Sequence, residues 1–269
     1  MSERSRDFTQ TRPGSAPSAP EPAPAPGAAA AFPGATAVTL LDVYDWVAPD
    51  GLPGGSAHVH LASTEGYVVI GGAGRLQTLG QRGYAQTPLR TGDCLWFTPG
   101  TIHRLVNDGQ LRLLVVMQNA GLPEHGDAVL TFPPAILADP DAYARAAALP
   151  VPAPELAAAA RRRAGLAVEG YLALRERVMS EGPSALEEFY ASALRLTGRR
   201  TGDWLRRWRT GALATAELTG THLAEIGAEV AGHLELASLW RIERPAAPRG
   251  YGMCGRLTTY PASEAIRVA

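Results

Sequence analysis

The sequence predicts a mainly β fold over residues 36–132, followed by an α-helical region and a short C-terminal β segment. Three observations carry this reading. From Thr36 to Phe132, short runs rich in Val, Leu, Ile, Tyr and Phe alternate with Gly, Pro, Asp and Asn, the pattern of many short strands in a sandwich or small barrel. After Pro154 the apolar residues fall at helical spacing instead. In 234–243 alternation returns, with Leu234, Leu236, Trp240 and Ile242 on one face and Ser238 the exception.

The chain has 269 residues, enough for one large domain or two small ones, and shows no internal repeat. Residues 1–35 are a Pro/Ala-rich run with almost no large apolar side chain, so they cannot offset their ordering entropy and read as a disordered tail. They lack the apolar core of a signal peptide. Within 36–132 the strands are expected at 37–46, 57–62, 66–70, 74–79, 84–89, 93–97, 103–107 and 111–118, punctuated by Gly71-Gly72, Gly80, Gly92, Gly100 and Asp108-Gly109. Residues 133–154 form a connector with a short helix at 141–147. The helical region 155–230 opens with a helix over 155–180. A second begins at Ser184, where Glu187 completes a capping-box pattern, a third begins at Thr201, and a fourth spans 218–230. Residues 231–269 supply C-terminal strands, at 234–243 and 253–260, that need the barrel of this chain or of a partner to pair with.

Composition excludes some functions. The formal net charge is -1, and all the basic residues are arginine, which gives no bulk electrostatic case for nucleic acid or an anionic membrane. No apolar run approaches the roughly 20 residues that span a bilayer. Cys94 and Cys254 form no metal-type pair and read as buried, reduced thiols, so a cytoplasmic location is expected. Trp204 and Trp208 read as helix packing, and the interleaved Arg206, Arg207 and Arg209 as a solvated face.

The chemistry concentrates in His58-Val59-His60, Glu65 and His103. Residues at i and i+2 of a strand face the same way, so His58 and His60 project together. Glu65 lies at an odd separation and joins them if the chain bends, which is expected at Ser63-Thr64. Glu65, Tyr67 and Val69 then share a face, and His103, Leu105 and Asn107 alternate onto another. Tyr67 and Asn107 fit either pocket or packing roles. His125, His222 and His233 lack such partners and read as structural. Three imidazoles and one carboxylate suit one divalent transition metal, with Fe, Ni, Mn, Zn and Cu undistinguished.

The region 36–132 resembles the cupin superfamily, whose fold is a jelly-roll β-barrel. His58, His60, Glu65 and Gly72 match the first cupin motif, with Leu52 in place of its leading glycine. Gly92, Gly100, His103 and Asn107 match the second, with Thr98 in place of its first proline. The resemblance implies that His58, His60, Glu65 and His103 are metal ligands. It also implies an enzyme acting on a small organic molecule, an oxygenase or dioxygenase ahead of an isomerase, epimerase or lyase. In a proton-transfer reaction Glu65 would be a base and Tyr67 a proton donor. The family also contains non-catalytic small-molecule sensors. A homodimer is expected, because a small open sandwich must cover its edge strands.

Overall fold

The computed structural model describes residues 31–149, 155–245 and 250–268. The tail expected over 1–35 lies mostly outside these. Where it is described, Pro33–Ala35 form a 3₁₀ turn and Ala35 is buried, so order begins earlier than composition suggests.

The strands are β1 (Ala37–Val43), β2 (His58–His60), β3 (Glu65–Gly80), β4 (Gly83–Arg90), β5 (Cys94–Phe97), β6 (Ile102–Met117) and β7 (Ala128–Leu130). All pairings are antiparallel. Two pairs of expected strands are each one long strand. In β3 the glycines that read as a turn sit in a run of register shifts between Val69 and Gly74, so the strand bends without ending. Gly72 is required there: its φ is +72°, and a Cβ would lie 2.2 Å from the Gln110 carbonyl oxygen. Asn107 holds the matching irregularity in β6. Its side-chain oxygen accepts from the Gly109 and Leu111 N–H groups at 3.1 and 3.0 Å, while its amide donates to Val43 O at 3.0 Å. Asn107 therefore has a structural role. Strand β7 was not anticipated, because three residues show no alternation.

Next come α1 (Pro134–Leu137), α2 (Pro140–Ala147), α3 (Leu156–Glu181), α4 (Glu187–Thr197), α5 (Thr201–Trp208), α6 (Ala214–Gly227) and α7 (Gly232–Glu235). The capping box at Ser184 does not form. Gly182, at φ +85°, leads into a 3₁₀ turn over Pro183–Leu186, and α4 starts only at Glu187. A π-helical turn, Arg209–Leu213, joins α5 to α6.

The strand expected over 234–243 is also corrected. Residues 232–235 form α7, and only β8 (Trp240–Arg241) is extended, pairing with β11 (Ile266–Arg267). The apolar alternation was misleading because Leu234, Leu236 and Leu239 are exposed and no sheet face buries them. Strands β9 (Gly250–Tyr251) and β10 (Gly255–Thr259) join the large sheet, with β10 against β1 from Thr39–Thr259 to Val43–Gly255. The sheet runs β4-β3-β6-β1-β10-β9, with β2 on β6 and β7, and β5 on β3.

Two cores result. One fills the barrel, with Leu41, Tyr67, Val69, Leu105, Leu113 and Cys254 among its members. The other lies between barrel and helices, where Val59, Ile102 and Val129 meet Tyr171, Leu186 and Phe189. Each fully buried Leu or Ile contributes about 1.5–3 kcal/mol. Gly170 lets α3 touch the barrel backbone, since a Cβ there would lie 2.1 Å from Thr131 O. No described helix is long and apolar enough to cross a membrane.

Candidate metal centre

Alternation along β2 separates the two cores. Val59 points into the helix interface, while His58 and His60 point into the barrel. The chain then bends at Leu61–Ala62, slightly earlier than expected, and Glu65 opens β3. Asp127 fixes this bend: its Oδ1 accepts from the Leu61 N–H at 2.9 Å and the Ala62 N–H at 2.6 Å. Strand β6 delivers His103 directly opposite His58. One ligand atom from each of His58, His60, Glu65 and His103 lies within 4.8 Å of all the others, and all four residues are buried.

Each imidazole is held by its Nδ1. His58 Nδ1 lies 3.3 Å from Ser56 O, and His103 Nδ1 lies 3.2 Å from Thr101 O. Carbonyl oxygens only accept, so both Nδ1 atoms carry the proton. His60 Nδ1 lies 3.3 Å from Asp127 Oδ2. All three rings therefore present Nε2 inward, supported by partners of the kind that orient metal-bound histidines. Asp127 was not anticipated, since its sequence neighbours carry no motif.

Glu65 Oε2 lies 3.4 Å from His60 Nε2 and 3.2 Å from His103 Nε2. These contacts are close but poorly aligned, and both Glu65 Oε2 and His103 Nε2 are buried without a hydrogen-bond partner. Buried polar atoms are rarely left so. A cation among them would satisfy both, and neutral imidazoles with a carboxylate suit a first-row divalent metal. The residues thus fit the ion that the motifs imply.

The electrostatics follow from burial and mutual proximity. Burial, then the neighbouring His103 and His60, pushes His58 well below its ordinary 6.5. Burial opposes the charge on His60 too, but Asp127 and Glu65 overcome it and raise the group to about 9. Glu65 is buried, yet the histidines hold its carboxyl well below the usual range. Burial, then the charge of Glu65, pushes the Tyr67 hydroxyl well up, so Tyr67 stays protonated. Its ring packs edge-on to Phe97 in the barrel core, and its hydroxyl is buried without a well-formed hydrogen bond.

His58, His60 and Glu65 line a cavity of about 310 Å³, with His103 wholly buried behind them. Its walls include Leu41, Val115, Met117 and Leu257, with Arg163 from α3 and Gly252, Met253 and Cys254 from the C-terminal segment.

The remaining residues noted in the sequence lie elsewhere. Trp204 is buried and donates from Nε1 to His125 O at 3.1 Å, while Arg206 and Arg207 pair with Asp203. His222 stacks on His233, whose Nδ1 lies 2.5 Å from Glu225 Oε2. Cys254 is buried as expected, but Cys94 is exposed; both thiols are free. Cys94 lies on β5, which pairs with β3 alone and turns that side chain outward.

A family model described as the cupin domain matches residues 46–117, the segment that carries all four of these side chains. This stretch is a cupin domain. Among solved structures, a double-stranded beta-helix protein from Klebsiella pneumoniae is 20% identical, covering 31% of this chain and 66% of its own, with a TM-score of 0.26. A Cupin 2 conserved barrel domain protein from Salinispora arenicola is 19% identical, covering 38% and 76%, with a TM-score of 0.26. A predicted oxalate decarboxylase from Thermotoga maritima is 22% identical, covering 31% and 64%, with a TM-score of 0.24. The chain thus spans just under two thirds of the Klebsiella and Thermotoga chains. No curated protein matches this chain. Beyond the matched segment, Arg163 of α3 and C-terminal residues from Tyr251 to Thr259 line the same cavity.

Proposed function

We propose that the chain is a metal-dependent cupin enzyme that transforms a small organic molecule in this cavity, of the oxygenase class. One observation carries the reading: three Nδ1-anchored imidazoles and a buried carboxylate converge, and His58, His60 and Glu65 among them line a largely apolar cavity. The cavity volume is at the small end of the roughly 300–1,000 Å³ of ligand pockets. A divalent ion held by His58, His60, Glu65 and His103 supplies Lewis acidity and, if redox-active, electron exchange with dioxygen. The protein's own part is to orient the substrate on apolar walls and to exclude water.

The lining favours oxygenation over proton transfer. Outside the ligand set, Glu124 is the one carboxylate among the described lining residues, and it is exposed. An isomerase, epimerase or lyase needs a positioned acid and base. The unpartnered Tyr67 hydroxyl beside Glu65 supports that second reading, with Glu65 as base and Tyr67 as proton donor. Metal analysis of the purified protein, followed by oxygen uptake with candidate substrates, tests the proposal. Iron, or another redox metal, near one equivalent with substrate-dependent uptake supports it. Tight metal with turnover but no oxygen consumption moves the function to the second reading, and absence of bound metal leaves a non-catalytic binding or sensor protein.

The chain is also proposed to act as a homodimer. The exposed Leu218, Leu223, Ile226, Leu234, Leu236 and Leu239 near the C-terminal helices support self-association. A single monomeric species in sedimentation at micromolar concentration would exclude it.

A further inference from the structure

Arg163 is the residue of the helical region that reaches the metal cavity. It sits in the N-terminal third of α3, outside the matched cupin segment, and is only 9% exposed. Its Nη2 donates to Gly252 O at 2.7 Å and its Nη1 to Ala147 O at 3.3 Å. A guanidinium has five N–H donors, so three remain, and Nε is buried without any partner. Among the described residues its hydrogen-bond partners are carbonyl oxygens and none is a carboxylate. The nearby titratable groups from other elements are Tyr44, Tyr143 and Cys254, all neutral at pH 7 when protonated. Burial pushes the Cys254 thiol up and keeps it so.

A buried guanidinium without a counterion is costly. The two contacts to carbonyls do not by themselves require a charge, because neutral N–H donors also bind carbonyl oxygens. What the charge suits is an anion entering the cavity, since guanidinium binds carboxylates in bidentate fashion. The facing walls, Leu41, Val115, Met117 and Leu257, suit an apolar body.

We propose that Arg163 is a substrate-binding residue, and that the substrate is a small organic monocarboxylate whose carboxylate docks on Arg163 and whose apolar body faces the metal ligands. The assignment rests on the metal-enzyme reading for its chemistry, but the anion site stands on its own geometry.

The test uses the full-length protein, zinc-loaded and, separately, metal-free. Calorimetric titration compares 4-methylpentanoate with its neutral analogue 4-methylpentanol, in wild type, R163Q and R163K. The wild type should bind the acid at least about tenfold more tightly than the alcohol, as expected for a charge-assisted pair. R163Q removes the charge while leaving a neutral amide donor and should lose that preference, while R163K should keep part of it. Zinc content and melting temperature, measured on each variant, report the ligand set and the fold. Equal acid affinity in wild type and R163Q at equal zinc content overturns the proposal, as does a wild type that binds no acid at millimolar concentration. Should R163Q not fold, partial binding by R163K against full binding by wild type still decides. A protein that takes up no metal yet discriminates acid from alcohol through Arg163 would sink the metal-enzyme reading and leave the anion site standing.

Discussion

The Asp127 carboxylate grips two things at once: the Leu61 and Ala62 N–H groups with one oxygen, and the Nδ1 of His60 at 3.3 Å with the other. The same side chain therefore sets the bend that brings Glu65 round and the orientation of the ring beside it. Replacing Asp127 with Asn should weaken metal binding by roughly 10–100-fold, the usual effect of losing such a support. Competition against a zinc indicator measures this. Unchanged affinity would mean that His60 is oriented without Asp127.

Metal should stabilise the fold. An ion that binds only the native state at about 100 times its Kd adds about 2.7 kcal/mol. For a chain of this size that raises the melting temperature by roughly 5–10 °C. Scanning fluorimetry with and without zinc, and after chelation, reads the shift. His103→Ala should abolish it, because His103 Nε2 is one of the two orphaned buried atoms within the ligand set.

Acid should weaken the fold through Asp50. Arg104 is wholly buried and pairs with Asp50 through both guanidinium nitrogens, one of them at 3.0 Å. Burial opposes the Asp50 charge, but Arg104 and the Leu52 N–H hold its carboxyl below the ordinary 3.8. A depressed folded-state pKa gives stability that is complete above the unfolded value and lost as pH falls through the folded one. Asp50→Asn should cost about 2 kcal/mol at pH 7, less than the roughly 3–5 of a fully buried pair because the carboxylate retains some solvent. Urea midpoints of the two proteins should converge as pH drops below about 3. A constant gap from pH 7 down to pH 2.5 would show that the ion pair is not its source.

The helical region should be coupled to the barrel through Gly170. An alanine there meets Thr131 O and the Phe132 carbonyl, so α3 must shift away. Overpacking of this kind costs about 1–3 kcal/mol. Gly170→Ala should lower the unfolding free energy read from urea titration by that amount, whereas Gly165→Ala, with open space at its Cβ, should be neutral or stabilising. Equal effects at both positions would mean that α3 does not bear on the barrel.

Much of the candidate site was legible because its geometry is local. His58 and His60 share a strand face by alternation alone, and the cupin motifs supplied Glu65 and His103. The supporting contacts were not legible. Asp127 is 67 residues from His60, and Arg163 reaches the cavity only because α3 packs across the barrel. The same holds for the fold. Strands with one buried face announced themselves, whereas β7 was too short and 234–243 carried apolar residues that the fold leaves exposed. Periodicity reports a face, not whether anything covers it.

The pairing of β10 with β1 has a temporal consequence. β1 leaves a ribosome long before β10, with Thr39 facing Thr259. One flank of β1 must wait, unpaired, while the described helices α1 to α7 are synthesised. Contacts of such sequence separation form slowly, and unpaired edges invite association. The wall carrying Gly252, Met253 and Cys254 arrives with that same late segment. The cavity is thus completed only once residues 251–259 have emerged, so a nascent chain can assemble the four ligands well before it can enclose anything beside them.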